Sequence, residues 1–294
     1  MDWKNQLISL YMYVVRLHKE NLWVYCQRFC GNSMPEFTDA EVITVFLWGL
    51  MQKQSELKDI YRYTNNHLRD WFPALPSYSA YARRLNLLSG VFSPLAEELL
   101  KSFPLSDYEG NARLIDSMPI IMASWKRSGA AKVALHFANK GYCSSKEIYY
   151  HGVKLHVFGI KREGALPVPE FAGLSPASQH DLPVFSEIAP YLHGKNIYAD
   201  KAYISELLKQ SLENQDVLLF TPPKKEKGQE SLFMFDKLLS TSISRVRQPI
   251  ESFFNWIQHK TKIQTASKVR SYNGLIVHVF GRFSAALFMQ AFNS

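Results

Sequence analysis

Apolar residues recur at three- and four-residue intervals through the first third of the chain, then switch to alternation after Pro104. Leu7, Leu10, Tyr11, Val14 and Leu17 share one helical face, and so do Val42, Val45, Phe46, Gly49 and Leu50. Residues 55–64, 79–88 and 94–103 carry similar patterns between Pro and Ser punctuation. The run Thr38-Asp39-Ala40-Glu41 predicts a capping box, in which Thr38 accepts from a backbone N–H and Glu41 reaches back. Residues 1–108 therefore read as an all-α N-terminal domain.

From residue 109 the pattern predicts strands. Residues 111–116 form a first and 148–160 a longer second. On the second, Tyr149, His151, Val153 and Leu155 take one face, and Tyr150, Lys154, His156 and Phe158 the other. Residues 168–173 make a third, a hairpin-like neighbour of the second. Asp181 is placed to cap a helix over 182–191, with Pro183 in its first turn. Strands over 196–200 and 217–221 then bracket a helix over 204–214, and helix returns over 240–259. The expected fold of 109–294 is mixed α/β, with a five-stranded sheet flanked by helices. The polar stretch between, from Pro222 to Glu230, reads as a loop.

The 294 residues, 47% of them hydrophobic, suffice for two packed domains. A net charge of +8 and a pI near 9.2 favour a polyanionic partner, because neutralising phosphates releases counterions, although solubilising charge is the bland alternative. Basic residues interleave with aromatics in Tyr61-Arg62-Tyr63 and Tyr81-Ala82-Arg83-Arg84. Helices with such faces can grip DNA as a helix-turn-helix does, or form a bundle with a solvated surface; the sequence leaves both open. Three cysteines, Cys26, Cys30 and Cys143, make no disulfide framework and fit a reducing compartment. Cys26 and Cys30 share a helical face, but no second pair follows at zinc-finger spacing, so both read as core. The N-terminus lacks a basic stretch leading into a long apolar core. The apolar run 42–51 is half of the ~20 residues a membrane span needs, and the last apolar segment carries His278, Arg282 and Gln290. A cytoplasmic protein with no membrane partner is the simplest expectation.

Three carboxylates stand out. Asp116 lies in Leu114-Ile115-Asp116-Ser117, Asp200 in Tyr198-Ala199-Asp200-Lys201, and Glu251 in Arg247-Gln248-Pro249-Ile250-Glu251 on an aromatic-rich helix pattern. An acid at the end of an apolar strand loses solvation unless something pairs with it. A divalent metal is the simplest partner for three of them, and in a basic chain that suggests phosphodiester chemistry. Singly, each has an ordinary explanation: Asp116 and Asp200 can cap turns, and Glu251 can pair with Arg247 at i,i+4 for a few tenths of a kcal/mol. The order strand acid, strand acid, helix acid is what favours a site.

Neighbouring residues divide the same way. His151 and His156 point to opposite strand faces and cannot share one ion. Lys154 shares a face with His156, and either a phosphate contact or a structural role fits both. His180 beside Asp181 is explained by proximity to the site or by capping. Lys201 is a phosphate contact or an exposed lysine. Lys224 and Lys225 lie in a basic loop that is solvated or touches a DNA backbone. Arg247 either orients Glu251 or touches DNA. Phe253, Phe254 and Trp256 read as the apolar face of their helix.

At these residues the chain resembles bacterial DDE-type insertion-sequence transposases, most closely the insertion-sequence 982 group. The matching runs are Leu114-Ile115-Asp116-Ser117, Tyr150-His151-Gly152-Val153-Lys154-Leu155-His156, His180-Asp181, Asp200-Lys201-Ala202-Tyr203 and Arg247-Gln248-Pro249-Ile250-Glu251, with similarity also around Phe37 to Val42 and from Arg69 through Arg84. The resemblance implies a ribonuclease-H-like core in which Asp116, Asp200 and Glu251 hold two Mg²⁺ ions, with Mn²⁺ as a substitute. Asp116 would bridge the ions, with Asp200 on one and Glu251 on the other. It implies cleavage and strand transfer at the ends of a mobile element, with double-stranded DNA (terminal inverted repeats and target) as partner, in a homodimer or larger complex near the nucleoid. Related families carry Tyr and Lys around the last acid where this chain has Ser244 and Gln258. A nuclease of the same fold without strand transfer, and a degenerate copy that only binds DNA, are the alternatives. A two-carboxylate glycosidase gains nothing from a third acid or from basic charge.

Overall fold

The computed structural model describes residues 2–26, 28, 35–103, 110–225, 228–229 and 231–292. Cys30, the middle of the Lys224 loop and the expected domain boundary at 108 lie outside them. The chain divides into two compact units, Met1–Ser102 with Ile257–Ser294, and Phe103–Trp256.

The regular elements of the first unit are helices: α1 (Trp3–Glu20), α2 (Asp39–Met51), α3 (Leu57–His67), α4 (Tyr78–Leu87) and α5 (Phe92–Lys101), joined by α9 (Tyr272–Ile276), a π turn (Val277–Gly281) and α10 (Arg282–Phe292). The capping box at α2 forms as the sequence predicts: Thr38 Oγ1 accepts from the Glu41 N–H at 3.2 Å, and the Thr38 N–H donates to Glu41 Oε2 at 2.7 Å. The sequence runs the second domain to residue 294, whereas 257–294 clusters with the N-terminal helices. The reason is apolar: Phe283, Ala285, Ala286 and Leu287 are wholly buried. Gly281 permits this approach, since a Cβ there would lie 2.5 Å from Phe46. The segment Tyr272–Ala291 is long and apolar enough to cross a membrane, but it is mostly buried as a core helix of this unit. Its polar groups are spoken for: Arg282 donates to the carbonyls of Thr261 and Ser55 and to His278 Nδ1, and buried His278 is held down to about 3 and neutral.

The second unit is built on a six-stranded sheet: β1 (Ala112–Ser124), β2 (Asn139–Cys143), β3 (Ile148–Ile160), β4 (Val168–Pro176), β5 (Asn196–Tyr198) and β6 (Leu218–Phe220). Among the described residues the sheet has six strands, not the five expected. β2 leaves no clear signal in the sequence because it is five residues long, contains Gly141, and alternates over too short a span. β3 pairs with β1 along one edge, and β2 and β4 share its other edge end to end. β5 runs parallel to β1, and β6 parallel to β5. Helices α6 (Asp181–Ile188), α7 (Glu206–Glu213) and α8 (Met234–Thr261) complete the unit, whose boundary falls within α8. Ile115, Phe158, Phe185, Ile197, Tyr203, Leu212 and Val217 form one core cluster.

Two further expectations need correction. β1 does not stop at Asp116 but continues to Ser124. Beyond Leu114 its described pairing is with β3 alone, and such a half-open strand tolerates Pro119 and an acid. Asp181 does not cap α6 with its side chain: the cap position is His180, and Asp181 takes other partners.

Candidate active site

The sheet register brings the two strand acids together. Leu114 pairs with Tyr198 at the last rung of the parallel β1–β5 ladder. Asp116 and Asp200 each follow by two residues, on the same side of the pleat. They therefore sit where parallel strands end and diverge, the position at which open α/β sheets place ligands. α8 adds Arg247 and Glu251, one turn apart on one face. It is a 28-residue helix carrying Pro249 in its interior, where the missing N–H removes the bond to the Arg245 carbonyl.

Arg247 stands among the three acids. Its Nη2 lies 2.9 Å from Asp116 Oδ2 and 3.2 Å from Glu251 Oε1, and its Nη1 is 3.9 Å from Asp200 Oδ1. The arginine is buried, with its Nε lacking a hydrogen-bond partner, whereas the Asp200 and Glu251 side chains are 42% and 56% exposed. Asp116 Oδ1 accepts the Ser117 N–H at 2.8 Å, and Asp200 Oδ1 accepts the Lys201 N–H at 2.7 Å, capping a 3-10 turn. Turn capping and site membership thus coexist at Asp200.

Electrostatics follow from this packing. Burial pushes Asp116 up to about 6, against the pull of Arg247 and the Ser117 N–H. Burial works to lower Arg247, but the attraction of Asp116, Asp200 and Glu251 wins and raises it. Tyr203 lies beneath, its hydroxyl buried without a partner and held well above its ordinary value by burial and by Asp181, Asp116 and Asp200. It stays a protonated phenol.

Behind Asp116 lies a group the sequence did not assign. Asp181 accepts from Ser117 Oγ at 3.1 Å and from Lys154 Nζ at 2.9 Å, and Lys154 also donates to the Gln179 carbonyl. Opposite charges on neighbouring predicted elements were the available signal. Lys154 is thus committed to an internal pair. His156 is buried and bonded to Ser175 Oγ at 2.7 Å, and His151 meets the Val133 carbonyl at 2.9 Å, so both are structural. Lys201, Lys224 and Lys225 are exposed. Ser244 is exposed on α8, and Gln258 Oε1 accepts the Gln264 N–H, holding the turn that follows the helix.

Among the described residues, one set of three ligand-type side chains has donor atoms mutually within 4.8 Å: His18, Cys26 and Asp39. Asp39 is already taken by both Arg84 and Arg28, at 2.5–2.7 Å. Burial, with Asp39 nearby, pushes the Cys26 thiol up to about 12, so it offers no thiolate. Cys26 is a core residue. The acids around Arg247 differ in kind: three hard oxygen donors, two of them open to solvent, gathered about a single cationic side chain.

A family model described as a transposase DDE domain matches residues 107–271. No curated protein and no solved structure matches the chain. The match covers more than half of the sequence and includes all three acids and Arg247, and the chain accordingly belongs to the DDE-domain transposases.

Proposed function

We propose that this chain is the transposase of a bacterial insertion sequence of the 982 group, and that Asp116, Asp200 and Glu251 hold two divalent ions, Mg²⁺ or Mn²⁺, with which it cleaves DNA at the element ends and joins them to a target. The convergence of the three acids on Arg247 carries this reading. The donor set suits the ions: carboxylates are the ligands hard cations prefer, and a guanidinium already occupies the place of positive charge. A ribonuclease-H-like core is supported by the strand order β4-β3-β1-β5-β6, antiparallel in its first three members and parallel in its last two, with β2 as an addition at the edge.

When bound, such a pair of ions activates the attacking oxygen and stabilises the leaving oxygen of an in-line displacement. The protein supplies the rest. Asp116, anchored by the Ser117 N–H, presents its second oxygen into the site. Asp200 and Glu251 are exposed enough to rotate onto a cation. Arg247, once displaced from the carboxylates, is within a side-chain's reach of a phosphate and can bind it bidentately. Lys201, Lys224 and Lys225, all exposed, would meet the DNA backbone in this reading, and Lys154 would do so only by leaving Asp181. The attacking group is water for cleavage and a DNA 3′-hydroxyl for transfer, so no covalent protein intermediate is required. The helical unit is proposed to grip the element ends, and a dimer or larger complex to hold two ends together.

A mini-element bearing the DNA ends that flank the gene, incubated with supercoiled target plasmid and Mg²⁺ or Mn²⁺, tests the reading. Transposition yields joined element–target products. Cleaved ends that never join would reduce the protein to a nuclease, and binding without cleavage would mark a copy impaired at Ser244 or Gln258.

A further inference from the structure

The residues between Trp125 and His151 take no part in the site, yet they carry five Lys or Arg against one acid, Glu147. We propose that the outer face formed by β2 and the start of β3 is a second DNA contact, binding the backbone of the duplex that flanks the reacting phosphate. It rests on the reading of the acids as a DNA-cleaving site.

The strand register places this surface. Asp116 pairs with Val157, and steps of two along β3 lead through Leu155, Val153 and His151 to Tyr149 on the same sheet face. Eight residues at about 3.3 Å each put Tyr149 about 26 Å from the rung of Asp116. That is the length of about eight base pairs at 3.4 Å. Val157, Leu155, Val153 and His151 between Asp116 and Tyr149 are buried, so a duplex held at Asp116 passes outside this covered stretch and meets the sheet again where the face opens at Tyr149, within one helical turn.

The surface is built rather than incidental. β2 sets Tyr142 opposite Tyr149 and Lys140 opposite His151. The two rings lie 5.0 Å apart, and Lys140 Nζ stands 4.7 Å over the Tyr149 ring, an arrangement that holds the ammonium in place. Both tyrosines are more than half exposed. The reverse face is sealed: Cys143 and Tyr150 pack on Ala177, and a Cβ on Gly141 would lie 2.4 Å from the Ala177 carbonyl. The bond from His151 to the Val133 carbonyl ties the preceding segment to β3 one residue from exposed Lys132. A lysine held by an aromatic ring, with tyrosine hydroxyls as donors beside it, is the kind of group that positions a nucleic-acid backbone. A second copy of a chain with net charge +8 would be repelled by this patch.

The test uses the full chain, a fluorescein-labelled 30-base-pair duplex and EDTA, with binding followed by anisotropy between 50 and 200 mM salt. The Lys132→Gln, Lys140→Gln double variant is expected to bind roughly tenfold more weakly, with the slope of log K against log salt shallower by about one per lysine. Tyr149→Ala, which removes the support of Lys140, should lose part of the same slope, and Lys140→Arg should keep it. A double variant with wild-type affinity and slope overturns this surface alone. Absence of duplex binding by the wild type overturns the DNA-cleaving reading of the acids and this inference with it.

Discussion

Asp116→Asn is expected to abolish DNA cleavage and the response to divalent ions, while making the metal-free protein more stable above pH 6. Catalytic loss should reach roughly three orders of magnitude or more, equivalent to about 4 kcal/mol of transition-state stabilisation. The stability gain follows from the position of the acid in the sheet. The folded Asp116 keeps its proton up to about pH 6, whereas the unfolded carboxyl releases it near 3.8. The folded state therefore binds more protons between these values, and stability falls as pH rises through that window. Asn carries no charge to desolvate. Thermal unfolding at pH 8 should shift upward by a few degrees in the variant, and at pH 4 hardly at all. A lower melting temperature at pH 8 would mean that the ion pair with Arg247 outweighs the burial of the acid.

Arg247→Gln should act in the opposite direction. The guanidinium is the cation shared by three carboxylates, and it is nearly buried. Removing one partner of a buried pair leaves an uncompensated charge, at a cost of about 3–5 kcal/mol. For a chain of this size that is a fall of roughly 10 °C in melting temperature. Divalent ions should restore much of it, because they bind the folded carboxylates without having to displace the arginine. Titration with Mn²⁺ should accordingly raise the melting temperature of the variant more than that of the wild type. Equal shifts would show that arginine and metal do not compete for the same acids.

How much of this was legible beforehand depends on the kind of signal. β3 is legible to the residue, because a long β-branched and aromatic run contains the alternation Val153-Lys154-Leu155-His156-Val157. The capping box at Thr38 was equally plain, since its chemistry is local. The length of β1 was not, because Asp116, Ser117 and Pro119 read as punctuation until the pairing partner is known. β2 escaped for want of length. The grouping of 257–294 with the N-terminal helices depends on long-range packing that no periodicity encodes.

The acids divide similarly. Asp116, Asp200 and Glu251 stand out by their order along the chain, but their shared contact with Arg247 follows only from the β1–β5 register and the placement of α8. The sequence offers Arg247 as an orienter of Glu251 or a DNA contact, and nothing local signals its reach to Asp116, 131 residues away. For Asp181 the sequence offers capping or proximity to the site, and the capping does not form. Only the strand that carries Lys154 and the one that carries Ser117 reveal its actual partners.

The most direct test of the central claim is nicking of a labelled duplex that carries the element boundary flanking the gene. Wild type and Asp200→Ala would be compared in Mg²⁺, in Mn²⁺ and in EDTA. The account predicts cleavage at the boundary by the wild type in either metal, none in EDTA, and none by the variant although it still binds the duplex. Cleavage that persists in EDTA or in Asp200→Ala would contradict it.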